Sequence, residues 1–183
     1  MSEALDLDQA LAAIGRALAA GRPALSLRAE TAADADAIDR LYASTRWDEL
    51  APLPWPETDK HTFLQQQSRL QADHYRKHYP GAALCAIVAD AALVGRVYLY
   101  ASPGEYRLMD IALLPEWRRQ GHGAGVLSTL LTTAATQSRR VSLHVEADNP
   151  ACAWYQRLGF RPVEQRGVYQ FMAWQPATAS APL

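Results

Sequence analysis

Leu113-Leu114-Pro115-Glu116-Trp117-Arg118-Arg119-Gln120-Gly121-His122-Gly123-Ala124-Gly125 is the stretch on which the reading of this chain turns. It leaves an apolar run, bends at a proline and enters a segment with helical periodicity. Glycine accepts the positive φ and the close backbone approach that such a turn requires. A helix N-terminus presents N–H groups without intrahelical partners and a partial positive charge. Together these make an anion site suited to a pyrophosphate, and Arg118 and Arg119 are expected to add mobile positive charge. The glycines alone would equally serve a tight strand-to-helix turn that binds nothing. Their spacing is not the G-x-G-x-x-G of a dinucleotide-binding turn, and no Gly-Lys-Ser/Thr follows, as a P-loop demands.

Working outward, the residues before this stretch read as strands. Leu84 to Ala89, Leu93 to Tyr100 and Tyr106 to Leu114 are apolar runs, separated by Asp90-Ala91-Ala92 and Pro103-Gly104-Glu105. Those connections are too short for crossovers, so the three strands form an antiparallel meander. After the glycines, a helix is expected near Gly123 to Ser138 and a strand over Val141 to Ala147. Asn149-Pro150 then opens a helix that Gly159 ends. Phe160 to Gln165 and Tyr169 to Gln175 form a last hairpin. Upstream lie a strand at Leu25 to Arg28 and a helix capped by Thr31 and Asp34, with Ile38, Leu41 and Tyr42 inward. A proline-rich loop over Asp48 to Glu57 comes next. A polar helix from Thr58 to His78 succeeds it, carrying Phe63, Leu64, Leu70 and Tyr75. Residues Leu5 to Ala20 place Leu7, Leu11, Ile14 and Leu18 on one helical face, free to pack on the domain or on a second subunit. The order is helix, strand, two helices, three strands, helix, strand, helix, two strands. That is an α/β chain with a mixed sheet.

The 183 residues suit one domain, with 49% hydrophobic and 20% charged residues, enough for a sizeable core. We divide them into an N-terminal helical extension (1–22), the main domain (23–176) and a frayed tail (177–183). The formal net charge of -1 offers no global field to nucleic acid or to an anionic membrane. Cys85 and Cys152 match no metal-ligand or redox spacing, and His74 with His78 lack a third ligand, so no metal site is expected. Asp6 and Asp8 stand where a secretory leader would be basic, and Arg16 interrupts the only apolar run. The expectation is a soluble, cytoplasmic protein.

Two segments carry a family resemblance. Pro115 followed by Arg118-x-x-Gly121-x-Gly123 resembles the acyl-CoA signature of the GNAT superfamily of N-acetyltransferases. Asp148-Asn149-Pro150 leading to Tyr155 and Leu158-Gly159-Phe160 resembles that family's second common element. The resemblance spans roughly Leu25 to Gln175. It implies the family's mainly antiparallel mixed sheet flanked by helices, to which the N-terminal helix is an addition. It also implies acetyl-CoA as co-substrate and the primary amine of a small molecule or a peptide as acceptor. Arg118, Arg119, Gln120, Gly121, His122, Gly123 and Ala124 would wrap the pyrophosphate. Ile111, Ala112 and Leu113 would pair with the pantetheine arm, and Asn149 would contact it, although an N-cap role alone explains that asparagine. Tyr155 would be the acid for the leaving thiolate.

For the base, alternation places Ser142, His144 and Glu146 on one face of their strand. His144 stands where relatives often carry a glutamate and titrates near neutrality. Asp110 is the rival, and Glu146 the third candidate. Acceptor walls are expected from Trp47, Asp48, Glu49, Trp55, Glu57 and Asp59, with Tyr169 or Phe171 from the hairpin. A homodimer is left open. Two other readings stand beside the enzyme: a non-catalytic acyl-CoA sensor, and a nucleotide-binding protein using the same glycine loop.

Overall fold

The computed structural model describes residues 2–21 and 23–177, with side chains from Asp6 onward. Among the described residues, five α-helices and seven strands follow the order read from the sequence: α1 (Ser2–Ala20), β1 (Ser26–Ala29), α2 (Ala35–Arg46), α3 (Glu57–His78), β2 (Ala83–Ala89), β3 (Ala92–Ser102), β4 (Glu105–Leu113), α4 (His122–Thr136), β5 (Arg140–Glu146), α5 (Ala151–Arg157), β6 (Arg161–Arg166) and β7 (Tyr169–Trp174). Arg22 and most of the expected tail lie outside the described residues.

The strands form one sheet in the order β1-β2-β3-β4-β5-β7-β6. All neighbours are antiparallel except β4 and β5, which the α4 crossover makes parallel. Pairing between β4 and β5 runs only from Glu105 opposite Arg140 to Leu108 opposite Leu143. At Met109, β4 carries a bulge: Leu108 pairs with Leu99 and Asp110 with Tyr98, leaving Met109 unmatched on β3. A bulge bends its strand and increases its twist. Here it falls where β4 leaves β5, so the later residues of the two strands diverge inside the sheet.

Alternation along β3 separates the two faces. Val97 and Leu99 join the main core with α1 and α4, whereas Arg96 and Tyr98 point toward α2 and α3. The expected α1 face is the packed one. Leu7, Ile14 and Leu18 are buried, as is Ala10, and Leu11 packs against the same cluster. The helix docks on α4, β1 and β3 of its own chain. Polar contacts fasten its first turns. The Tyr106 hydroxyl donates to the Asp6 carbonyl at 2.7 Å, and Arg139 pairs with the Asp6 carboxylate at 2.6 Å.

Two local expectations need correction. The proline-rich loop begins later than Asp48, because Trp47–Leu50 closes a 3-10 turn directly after α2. Leu70, expected among the packed residues of the polar helix, is exposed, and Ser68 takes the buried position instead. A leucine on the open face of a helix this polar has no apolar neighbour to bury it.

These placements set unequal costs for truncation. Ile14→Ala, at a fully buried site, should lower unfolding stability by about 2–5 kcal/mol. Leu70→Ala should change it by no more than about 0.5 kcal/mol. Urea titration of both variants checks the contrast. Equal midpoints would mean that α1 is not part of the cooperative core.

Candidate active site

The divergence of β4 and β5 opens a cleft of about 540 Å³. Its floor is Leu108–Ala112 of β4 and Leu143–Glu146 of β5. One wall is the end of α2, with Tyr42, Thr45, Arg46 and Glu49. The other is the C-terminal part of α3 and the residue just past it, with Gln71, His74, Tyr75 and Tyr79. Tyr169 closes it from β7, while Asn149, Ala151 and Tyr155 reach it from around α5.

The turn after β4 supplies unpaired donors. A short 3-10 turn at Pro115–Trp117 leads into Arg119 at φ 60° and Gly121 at φ 88°, and α4 starts at His122. Among the described residues, no backbone or side-chain acceptor takes the N–H of Arg119, Gln120 or Gly121. The first α4 amides, from His122 to Ala124, lack intrahelical partners by geometry. Six consecutive N–H groups are therefore without a protein acceptor among the described residues, at a helix N-terminus whose dipole favours an anion. A Cβ on Gly121 would meet no atom within 4 Å, so the glycine is there for its backbone angle rather than for packing.

The side chains of this segment divide. Arg119 is exposed and free of any acidic partner among the described residues. Arg118 is not the mobile charge expected from the sequence. Its Nε donates to the Leu113 carbonyl at 2.7 Å, and Nη2 donates to the carbonyl and hydroxyl of Ser44 at 3.2 and 3.1 Å. It ties the turn to α2. The His122 imidazole is buried against Gly21 at the end of α1, so only its backbone N–H is available at the start of α4.

Tyr155 is buried, and its ring packs on Trp154 and Phe160 at centroid distances of 5.1 and 5.7 Å. Its hydroxyl makes no hydrogen bond among the described residues. Burial, then the nearby Asp110 and Cys152, push the phenol well above its ordinary value, so it stays protonated. His144 lies on Phe171 at 4.9 Å and presents an open edge to the cleft. Partial burial first, then Arg107 and Arg166, lower its pKa against the opposing Glu105 and Glu164. The imidazole is therefore neutral near pH 7, with a ring nitrogen able to take a proton. Asn149 accepts the Ala151 N–H at 2.8 Å through Oδ1, the helix-capping bond expected, which leaves its amide NH₂ free to donate.

The other two candidate bases are held by cations. Asp110 forms a close ion pair with Arg96, which is buried in mid-sheet and also donates to Gln71 at 2.8 Å. Tyr98 and Tyr42 flank the guanidinium at 4.9 and 5.9 Å. Burial alone would lower the Arg96 pKa, but Asp110, with Tyr98 and Tyr75, raises it further, so the cation persists. Glu146 pairs with Arg46 at 3.1 Å, and Arg46 also holds Glu49 at 2.8 Å. Of the three candidates, His144 alone is unpaired.

The expected acceptor wall is also corrected. Of Trp47, Asp48, Glu49, Trp55, Glu57 and Asp59, only Glu49 lines the cleft. Trp47 turns to the outer groove between α2 and α3, where it stacks on His61 at 4.5 Å. Arg46, Arg96 and Arg107 are the cleft residues that the sequence reading missed. Arg96 did leave a signal, being a lone charge inside the apolar run Leu93 to Tyr100. Neither cysteine is poised for chemistry: burial pushes Cys85 up to about 11, and Cys152 turns its thiol to the Glu146 carbonyl at 3.3 Å. No helix among the described residues is long and apolar enough to cross a membrane.

Comparison with known proteins agrees with this geometry. A family model described as the acetyltransferase (GNAT) family matches residues 38–160. No curated protein matches the chain. Solved structures share the fold at low identity. The PaiA N-acetyltransferase from Thermoplasma acidophilum in complex with coenzyme A aligns with a TM-score of 0.61 at 16% identity, over 82% of this chain and 98% of that one. The ribosomal-protein-S18-alanine N-acetyltransferase from Escherichia coli aligns with a TM-score of 0.58 at 18% identity, over 87% of this chain and 98% of that one. Ard1 from Thermoplasma volcanium aligns with a TM-score of 0.57 at 17% identity, over 84% and 99%.

The buried pair makes a stability prediction. Asp110→Asn leaves Arg96 as an uncompensated buried cation and should cost about 3–5 kcal/mol in urea titration. Replacing both partners, as Arg96→Met with Asp110→Leu, should recover most of that loss. A single variant as stable as the parent would show that solvent already screens the pair.

Proposed function

The chain belongs to the acetyltransferase (GNAT) family, and from that premise we propose that it is an acetyl-CoA-dependent N-acetyltransferase acting on a primary amine of a small molecule or peptide. The observation that carries this reading is the pairing of an unpartnered amide row, Arg119 to Ala124, with a strand gap that begins at Met109. Acetyl-CoA supplies the acetyl group as an activated thioester.

In this reading the residues divide the work. The amides of Arg119 to Ala124 hold the pyrophosphate, and the exposed Arg119 guanidinium adds charge. Arg118 acts through the backbone, by fixing the turn to α2. Ile111, Ala112 and Leu113 offer the edge of β4 that faces away from β3 to the amide groups of the pantetheine arm. Asn149 donates to the same arm while capping α5. His144 takes the proton that the amine must lose before it can attack. A backbone N–H of the β4 edge stabilises negative charge on the carbonyl oxygen. Tyr155, kept protonated by burial, gives its proton to the departing thiolate sulfur. The lowered His144 pKa suits this assignment, because a base must be unprotonated at the working pH.

Isothermal titration with acetyl-CoA, followed by thiol release against a panel of amines, tests the reading. Binding with amine-dependent release supports it. Binding without turnover of any amine would favour an acyl-CoA sensor, and no binding would remove the pyrophosphate site. Tyr155→Phe should lower kcat by about 10²–10⁴-fold while acetyl-CoA binding persists. The pH profile of kcat/KM should rise through a pKa below the ordinary histidine value of about 6.5. His144→Gln should remove that limb. An unchanged limb in the variant would assign the base elsewhere.

A further inference from the structure

Arg46, Glu49 and Glu146 on one side and Arg107 on the other line the cleft, and with Glu105 and Arg140 beside Arg107 they form two charged groups, or poles, along β5. Ser142, His144 and Glu146 share one face of the strand, so each pole stands about 7 Å along the strand from His144. At the Glu146 end, Arg46 is bound by two carboxylates, Glu49 and Glu146, and that group carries one net negative charge. At the Ser142 end, Glu105 lies between two cations, Arg107 and Arg140, and that group carries one net positive charge. Asp110 and Arg96 neutralise each other and belong to neither pole.

The positive pole is not evenly satisfied. Glu105 is buried and held by Arg140, whose Nε donates at 2.6 Å, and by the Ser142 hydroxyl. These bonds outweigh its burial and keep the carboxyl below its ordinary value. Arg107 reaches the same carboxylate only at 3.4 Å, and its other terminal nitrogen reaches the Tyr79 hydroxyl at 3.3 Å. Both distances are too long for good N–H···O bonds. The Arg107 guanidinium is half-buried, lines the cleft, and sits 5.8 Å from the Phe171 ring. It therefore has a fork of donors, a fixed aromatic neighbour and only a long contact to the Glu105 carboxylate that Arg140 already holds. A planar carboxylate matches that fork in geometry and in charge. Arg107 also lies on the paired side of the β4–β5 branch, away from the amide row at Arg119 to Ala124.

We propose that the acceptor is a small zwitterion, an amine carrying a carboxylate in the same molecule, with Arg107 binding the carboxylate and the Arg46–Glu49–Glu146 group facing the amine. This rests on the acetyltransferase reading above. His144 stands on β5 between the two groups. The positive field of Arg107 and Arg166, which acts on His144 after its partial burial, also disfavours a purely cationic acceptor. A zwitterion brings its own compensation for that field. Arg107 is in this account a specificity-determining residue.

The test compares matched acceptors that differ only in the carboxylate. Thiol release from acetyl-CoA is measured with each L-amino acid and with its carboxamide, for the parent protein and for Arg107→Gln and Arg107→Lys. The parent should favour the acid in kcat/KM by about ten- to a hundredfold, the span of a charge-assisted hydrogen bond. Arg107→Gln should bring the acid-to-amide ratio close to one, and Arg107→Lys should restore part of it. Melting curves identify a variant that has not folded, and the parent's own ratio needs no variant. Equal use of acids and amides by the parent would overturn the proposal. So would a preference that survives Arg107→Gln, or acetyl-CoA binding with no amino acid turned over. Failure of the parent to bind acetyl-CoA at all would instead remove the acetyltransferase reading on which the proposal stands.

Discussion

The short parallel pairing of β4 with β5 is the constraint on which the rest of the molecule depends. A sheet interior normally leaves no backbone group unpaired, because each buried N–H or C=O without a partner is costly. Here the bulge at Met109 and the end of the pairing at Leu108 coincide, and both strands continue without each other. They remain anchored on their far sides, β4 to β3 as far as Leu113 and β5 to β7 as far as Glu146. The gap is thus rigid on both banks. Tyr75 of α3 donates to the Met109 carbonyl at 3.3 Å and ties the bulge to the cleft wall. Gly95 sharpens the same region, since a Cβ there would lie 2.6 Å from the Ala112 carbonyl oxygen and from a Leu113 methyl.

The cleft then organises charge in a low-dielectric setting, where unpaired groups are costly and paired ones are held firmly. Arg96 and Asp110 occupy mid-sheet positions and give α2 and α3 a polar surface to dock on. Asp110 is thereby ion-paired with Arg96. Arg46 pairs with Glu146 and bridges α2 to β5. What remains open is His144 on the floor, Tyr155 with its free hydroxyl, and the loosely satisfied Arg107. Tyr42 of α2 and Tyr75 of α3, with Tyr79 just past it, line the walls around these groups.

Much of the fold was legible in the sequence because its signals are local. The meander, the Asn149-led helix and the turn after Leu113 each rest on periodicity and turn chemistry within a dozen residues. The turn that the family resemblance assigns to the cofactor was legible for the same reason, down to the backbone angle at Gly121. The acceptor side was not, because it is assembled from residues far apart. Arg46, Gln71, Arg96 and Arg107 meet only through the sheet order, and no spacing along the chain announces that; Tyr169 was anticipated only as part of the last hairpin. The same limit misplaced Trp47 and its acidic neighbours: composition made them a plausible wall, but the 3-10 turn at Trp47–Leu50 rotates all except Glu49 away. Arg118 shows a subtler limit. Its charge suggested a ligand, while its hydrogen bonds serve the turn.

The central claim is that CoA lies across the β4 edge with its pyrophosphate on the amides that open α4. Following the backbone amide resonances of isotope-labelled protein during titration with CoA tests it residue by residue. The account predicts large, saturable shifts at Arg119 to Ala124 and at Ile111 to Leu113, with Ala43, Trp47 and His61 in the outer groove unmoved. Shifts confined to that groove, or none at Arg119 to Ala124 under saturating CoA, would contradict it.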